Sequence, residues 1–125
     1  MFAEIRTGVE ARDIRGSWAI GLPGASIICA HAIGDCRFPN DDLPKSDDIQ
    51  DCNLFWNADM GPKRRIGCSP DGHMNMQAQA RSLHAGNVVN YAMCDGSVRS
   101  VISQIDQRIW YLVNSRCDGV SLEGF

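Results

Sequence analysis

The sequence has no surplus of basic charge: 12 Lys+Arg stand against 15 Asp+Glu, for a formal net charge of -3. Nucleic acid and anionic membrane surfaces both select a basic face, so neither is the expected partner. Long hydrophobic runs are missing too. The longest nearly apolar stretch, Ala25 to Ile33, covers nine residues and contains Ser26 and His31. A membrane-spanning helix needs about 20, so no membrane span is expected. The opening Met1-Phe2-Ala3-Glu4-Ile5-Arg6 lacks a basic start followed by an apolar core, and no secretion signal reads from it. None of the six cysteines (Cys29, Cys36, Cys52, Cys68, Cys94, Cys117) forms a C-x-x-C pair, which weakens zinc-ribbon and thioredoxin readings. They also fall short of the roughly 8–10% that marks a small disulfide-built scaffold. Six thiols fit either a reduced set or an oxidised framework.

What is present is an ordinary globular mixture, 44% hydrophobic and 22% charged over 125 residues. That length suits one domain, 1–125, able to remove roughly two thirds of its unfolded surface from water. Short extended segments are expected around Ala3-Glu4-Ile5-Arg6 and Ser17-Trp18-Ala19-Ile20-Gly21, the second closed by the Leu22-Pro23-Gly24 turn signal. From 34 to 76 the chain reads as one long irregular loop, interrupted by Pro39, Pro44, Pro62 and Pro70. A weakly patterned stretch of that length points to a functional or disulfide-tied excursion.

The last third carries the clearest pattern. Val88 to Cys94 and Ser97 to Ile102 are β-prone runs on either side of Asp95-Gly96, a strong hairpin signal. A two-residue type I′ loop there pairs Met93 with Val98, Tyr91 with Ser100 and Val89 with Ile102 on one apolar face. Ser103 lies three residues before Asp106, a variant of the capping box. Ile105, Ile109, Leu112 and Val113 then follow at helical spacing, predicting an amphipathic helix of about 12 residues that stops at Asp118-Gly119. Hairpin plus helix occupy 87–117. The fold class is α+β: a small antiparallel sheet, a C-terminal hairpin and helix, and a long loop.

The segment Arg81-Ser82-Leu83-His84-Ala85-Gly86, continuing to Asp95-Gly96-Ser97-Val98-Arg99, resembles the bacterial prepilin-type family labelled H-x(9)-D-G. Glu4-Ile5-Arg6, Arg15-Gly16-Ser17-Trp18-Ala19 and Ala32-Ile33-Gly34-Asp35-Cys36 are similar to it upstream, as are Ile105-Asp106-Gln107 and Trp110 downstream. The resemblance implies a pseudopilin-like, extracytoplasmic domain, on the periplasmic or cell-surface side. It also implies a long N-terminal pilin helix, which this chain does not show, so an excised C-terminal domain or a truncated reading frame is expected. Ten residues rather than nine separate His84 from Asp95, which predicts a bulge or shifted loop before the first strand. With the pilin helix missing, an apolar sheet face is expected to lie open for self-association or another protein. The resemblance also favours a Cys36–Cys52 disulfide, which would lower the entropy of the unfolded chain by roughly 3 kcal/mol.

Several constellations could carry chemistry. His84 and Asp95 are the catalytic candidates, although Asp-Gly is first of all turn chemistry. Asp35, Asp41, Asp42, Asp47, Asp48 and Asp51 form an acidic loop that could offer calcium several oxygens, without the spacing of an EF-hand. Zinc fits less well, since Cys29, His31, Cys36, Cys68 and His73 follow no common ligand spacing. Ser82 near His84 lacks a G-x-S-x-G elbow. Trp18, Trp56, Trp110, Phe55 and Tyr111 read as packing residues. The function expected is a non-enzymatic assembly or surface-interaction domain. The alternatives are a small calcium-dependent hydrolase of an ester or lactone, in which His84 activates water, and a carbohydrate- or protein-binding module.

Overall fold

β-Branched and aromatic residues dominate Val88–Ala92 and Val98–Ile102, and both runs are strands in the computed structural model of the chain. It describes residues 1–8, 11–28, 37–41, 43, 46–47, 49, 67–68, 78–114 and 119. Among these, three strands form one antiparallel sheet in the order β1 (Phe2–Ala3), β2 (Val88–Ala92), β3 (Val98–Ile102). One α-helix, α1 (Gln107–Asn114), follows the sheet, so the α+β class stands. A 3-10 turn, Ala85–Asn87, leads into β2 where the His84–Asp95 spacing predicts a shifted loop.

The hairpin register differs from the expected one by a single residue. Val89 pairs with Val101, Asn90 with Ser100, Tyr91 with Arg99 and Ala92 with Val98. Met93 N–H donates to the Ser97 carbonyl at 2.8 Å and Gly96 N–H to the Met93 carbonyl at 3.0 Å. The loop therefore spans three residues, Cys94-Asp95-Gly96, rather than two. A type I′ turn needs positive φ at two consecutive residues, whereas here Gly96 alone has it, at +86°. That is the signature of a type I turn ending in a glycine bulge. Because side chains alternate along a strand, the slip reverses the faces of β3, while Val89 and Tyr91 of β2 keep the inner face expected of them. Val101 is buried, while Val98 and Ile102, expected on the apolar inner face, stand open.

Val89, Tyr91 and Val101 meet Ala80 and Trp110 in the main core, with Met1, Ala3, Ile28 and Ile105 packed around them. The Tyr91 and Trp110 rings lie edge to face, 5.2 Å between centroids and 67° between planes, a favourable quadrupole arrangement. Thus α1 presses Trp110 onto the inner face of the sheet, and Val113 is buried as well. Its start also departs from expectation. Asp106 is itself the N-cap: its Oδ1 accepts from the Arg108 and Ile109 N–H groups at 2.9 and 3.1 Å. Ser103 is occupied elsewhere, with its N–H on the Asn87 carbonyl at 3.2 Å. The described helix is eight residues long, and 115–118 lie outside the described residues.

Two expectations near the N-terminus do not hold. Ser17 to Gly21 is a succession of turns rather than a strand, closed by Ser17 N–H to the Ile14 carbonyl and Ile20 N–H to the Ser17 carbonyl. Trp18, expected to pack, is 88% exposed, and Tyr111 is exposed as well. Trp56 and Phe55 lie outside the described residues.

Candidate functional site

The outer face of the sheet carries three cross-strand rows. Phe2, Ala92 and Val98 form an apolar row across all three strands, and Val88 with Ile102 form another. Between them runs a polar row. Glu4 continues β1 with its N–H on the Asn90 carbonyl at 3.3 Å, and Asn90 faces Ser100.

Four side chains of this polar row are joined. Glu4 Oε2 accepts from the Asn90 N–H at 2.9 Å, and Oε1 from Asn90 Nδ2 at 3.1 Å. His84 reaches the same Oε1 with Nε2 at 2.8 Å, and the Ser100 hydroxyl donates to Asn90 Oδ1 at 2.7 Å. A carboxylate can only accept, so His84 Nε2 carries the shared hydrogen. Partial burial pushes the Glu4 carboxyl up, but hydrogen bonds from His84 and from the Asn90 N–H and amide outweigh it. The group is held below the usual glutamate value. His84 and Glu4 stay open to solvent at 52% and 36% side-chain exposure.

This arrangement ties β1 to the entry of β2 and orients His84. It does not build a nucleophile–base pair, because the Ser100 hydroxyl is turned to Asn90 and not to the imidazole. The sequence reading singled out His84 and missed Glu4, Asn90 and Ser100. Their separation, 80 positions between Glu4 and His84, follows no spacing rule. The one available signal was the presence of single polar residues, Asn90 and Ser100, within otherwise β-prone runs.

Asp95, the other half of the motif, is not brought to His84. Its Oδ1 accepts from the Ser97 N–H at 2.8 Å and from the Ser97 hydroxyl at 2.7 Å, at the tip of the hairpin. The Ser97 hydroxyl and then the Ser97 N–H hold the Asp95 carboxyl below the usual aspartate value. A strand rises about 3.3 Å per residue, which sets this loop on the order of 10–15 Å from the Asn90 row.

The acidic set is only partly visible. Asp35, Asp42, Asp48 and Asp51 lie outside the described residues, as do Cys36 and Cys52. Asp47 is fully buried between two guanidiniums: Arg81 meets its oxygens at 2.6 and 2.9 Å, and Arg15 lies 3.4 Å away. Arg15 is itself held by Asp13 at 2.6 Å and by the Gly67 carbonyl at 2.8 Å. Asp41 Oδ1 accepts from the Leu43 N–H at 3.1 Å, while Arg81 bonds the Asp41 carbonyl and the Ser46 hydroxyl. Arg81 therefore locks the acidic segment onto the strand-like residues before His84. Among the described residues, no three of His, Cys, Asp and Glu gather as metal ligands. Cys68 is disulfide-bonded to a partner outside the described residues, and Cys94 is a free, exposed thiol.

A family model described as protein of unknown function (DUF1559), SBP_bac_10, matches residues 1–108. No curated protein and no solved structure gave a match.

Proposed function

We propose, from the premise that this chain belongs to the DUF1559 family of H-x9-DG prepilin-like proteins, that it is a non-enzymatic extracytoplasmic domain acting in assembly or surface interaction. The observation that carries this reading is the outer face of the sheet. Phe2, Val98 and Ile102 are 78%, 71% and 51% exposed there, in apolar rows on either side of the Glu4–His84–Asn90–Ser100 cluster. Large exposed apolar residues grouped on one face and bordered by polar ones mark a contact surface. A groove of about 610 Å3 lined by Phe2, Ile27, Ile28, Met93 and Val113 adds apolar surface beside β1. His84 is tied to Glu4 beside β1 and Asp95 to Ser97 within its own turn, which favours a structural motif over a catalytic one. No helix among the described residues is long and apolar enough to cross a membrane. The disulfide at Cys68 supports an oxidising compartment.

Sedimentation of the full chain over a range of concentrations tests the reading. Wild type self-associates, while Val98→Asp with Ile102→Asp stays monomeric at an unchanged melting temperature. A wild-type chain that is monomeric throughout, and whose double variant behaves identically in cross-linking to extracytoplasmic proteins, overturns it.

A further inference from the structure

A second region is a polar cleft of about 490 Å3. One wall is the segment from Arg37 to Leu43, and the other is Asn87, Ser103 and Gln104. Both walls are fixed. Asn40 is buried and donates its N–H to the Ala80 carbonyl at 3.0 Å, while its Oδ1 accepts from the Ser82 N–H at 2.7 Å. On the far wall, Asn87 and Ser103 bond each other through both backbone and side chains. The cleft is thus preformed and lies within the roughly 300–1,000 Å3 usual for small-molecule sites.

Its chemistry is mixed in a particular way. The Arg37 guanidinium and the Gln104 amide make no hydrogen bond among the described residues, so the rim offers donors and an acceptor to a ligand. Deeper in, Asn87 Oδ1 is shut off from solvent with no donor. Phe38 supplies an apolar wall. Arg37 and Asp41 carry opposite charges, so no net charge of either sign is selected. Asn40 and Asn87, with φ of 55° and 58°, are the two non-glycine residues in the left-handed region among those described, and both line this cleft. Asparagine tolerates that conformation better than most residues, yet such backbone clusters at ligand clamps.

We propose that this cleft binds a neutral saccharide unit. A pyranose presents hydroxyls that both donate and accept, along with a C–H face suited to an apolar wall. A charged ligand would leave either Arg37 or Asp41 facing a like charge. The site is separate from the outer sheet face and stands or falls independently of the assembly reading.

The test is NMR titration of the full chain with glucose, galactose and N-acetylglucosamine, using glucuronate and inorganic phosphate as charged counterparts. The expected result is that at least one neutral sugar, at millimolar concentration, shifts the backbone amides of Asn87, Ser103 and Gln104. Arg37→Ala and Gln104→Ala, both at exposed positions, then weaken binding about 10-fold, or about 1.4 kcal/mol, at an unchanged melting temperature. Absence of any shift, shifts mapping to another surface, binding by the charged probes alone, or full affinity in both variants overturns the proposal.

Discussion

At the scale of single residues, the stability of the described fold concentrates in groups that no local pattern announces. Asp47 has no exposed side-chain surface and lies between Arg81 and Arg15. Removing one partner of a buried ion pair leaves the other charge uncompensated, at a cost of about 3–5 kcal/mol. Asp47→Asn is nearly isosteric, so urea unfolding should show a loss of that size, a large share of the roughly 5–15 kcal/mol that holds a domain folded. Glu4 behaves differently because it is partly exposed. Its folded-state value is depressed, so its stabilising contribution is present above the unfolded glutamate value and disappears as pH falls through the folded one. Glu4→Gln should therefore flatten the acid side of the stability profile and leave its neutral region almost level with that variant's own value at mildly acidic pH. Thermal melts from pH 3 to pH 7, a window around the usual carboxylate range, check this. The sequence marked Asp47 only as one of the acidic-loop carboxylates and Glu4 only within the family resemblance; neither pairing was legible in advance. Arg15 and Asp47 are 32 positions apart, Arg81 and Asp47 are 34 apart, and only the folded chain sets them together.

At the scale of elements, the sequence spoke clearly because its signals are local. Asp-Gly between β-prone runs announced the hairpin, and an acid ahead of helically spaced apolar residues announced α1. Both exist. What the spacing could not give was the conformation of Asp95, and that one residue decides whether the loop has two members or three. The consequence reached every side chain of β3, moving Val98 and Ile102 outward and Val101 inward, while Val89 and Tyr91 of β2 stayed inside. Gly96 now fixes the register alone. A Cβ added there meets no atom within 4 Å, so any cost of Gly96→Ala comes from the left-handed backbone, about 1–2 kcal/mol. Chemical denaturation should show that loss with an unchanged denaturant slope, because the exposed surface on unfolding is the same. The cap follows the same logic at smaller cost: Asp106→Ala removes two accepted N–H bonds and about 1 kcal/mol, read from the same curves.

At the scale of the whole molecule, the Cys68 bridge and the Arg81 clamp do related work on the segment that sequence alone saw as a long irregular excursion. Cys68 sits with Ile49 and Ala78 in a second buried cluster, against which Ile14 packs. The excursion therefore owns part of the interior, which its prolines and glycines concealed. The sheet has a further consequence in time rather than in space. β1 pairs Phe2 with Ala92, and Ala3 with Tyr91, so the first strand waits for a partner translated some ninety positions later. Closing so large a loop is entropically slow, whereas the β2–β3 ribbon needs only its own short connection. The ribbon and its helix should form early and the leading strand should dock last. Ala3→Gly should then speed unfolding while barely slowing refolding in stopped-flow measurements.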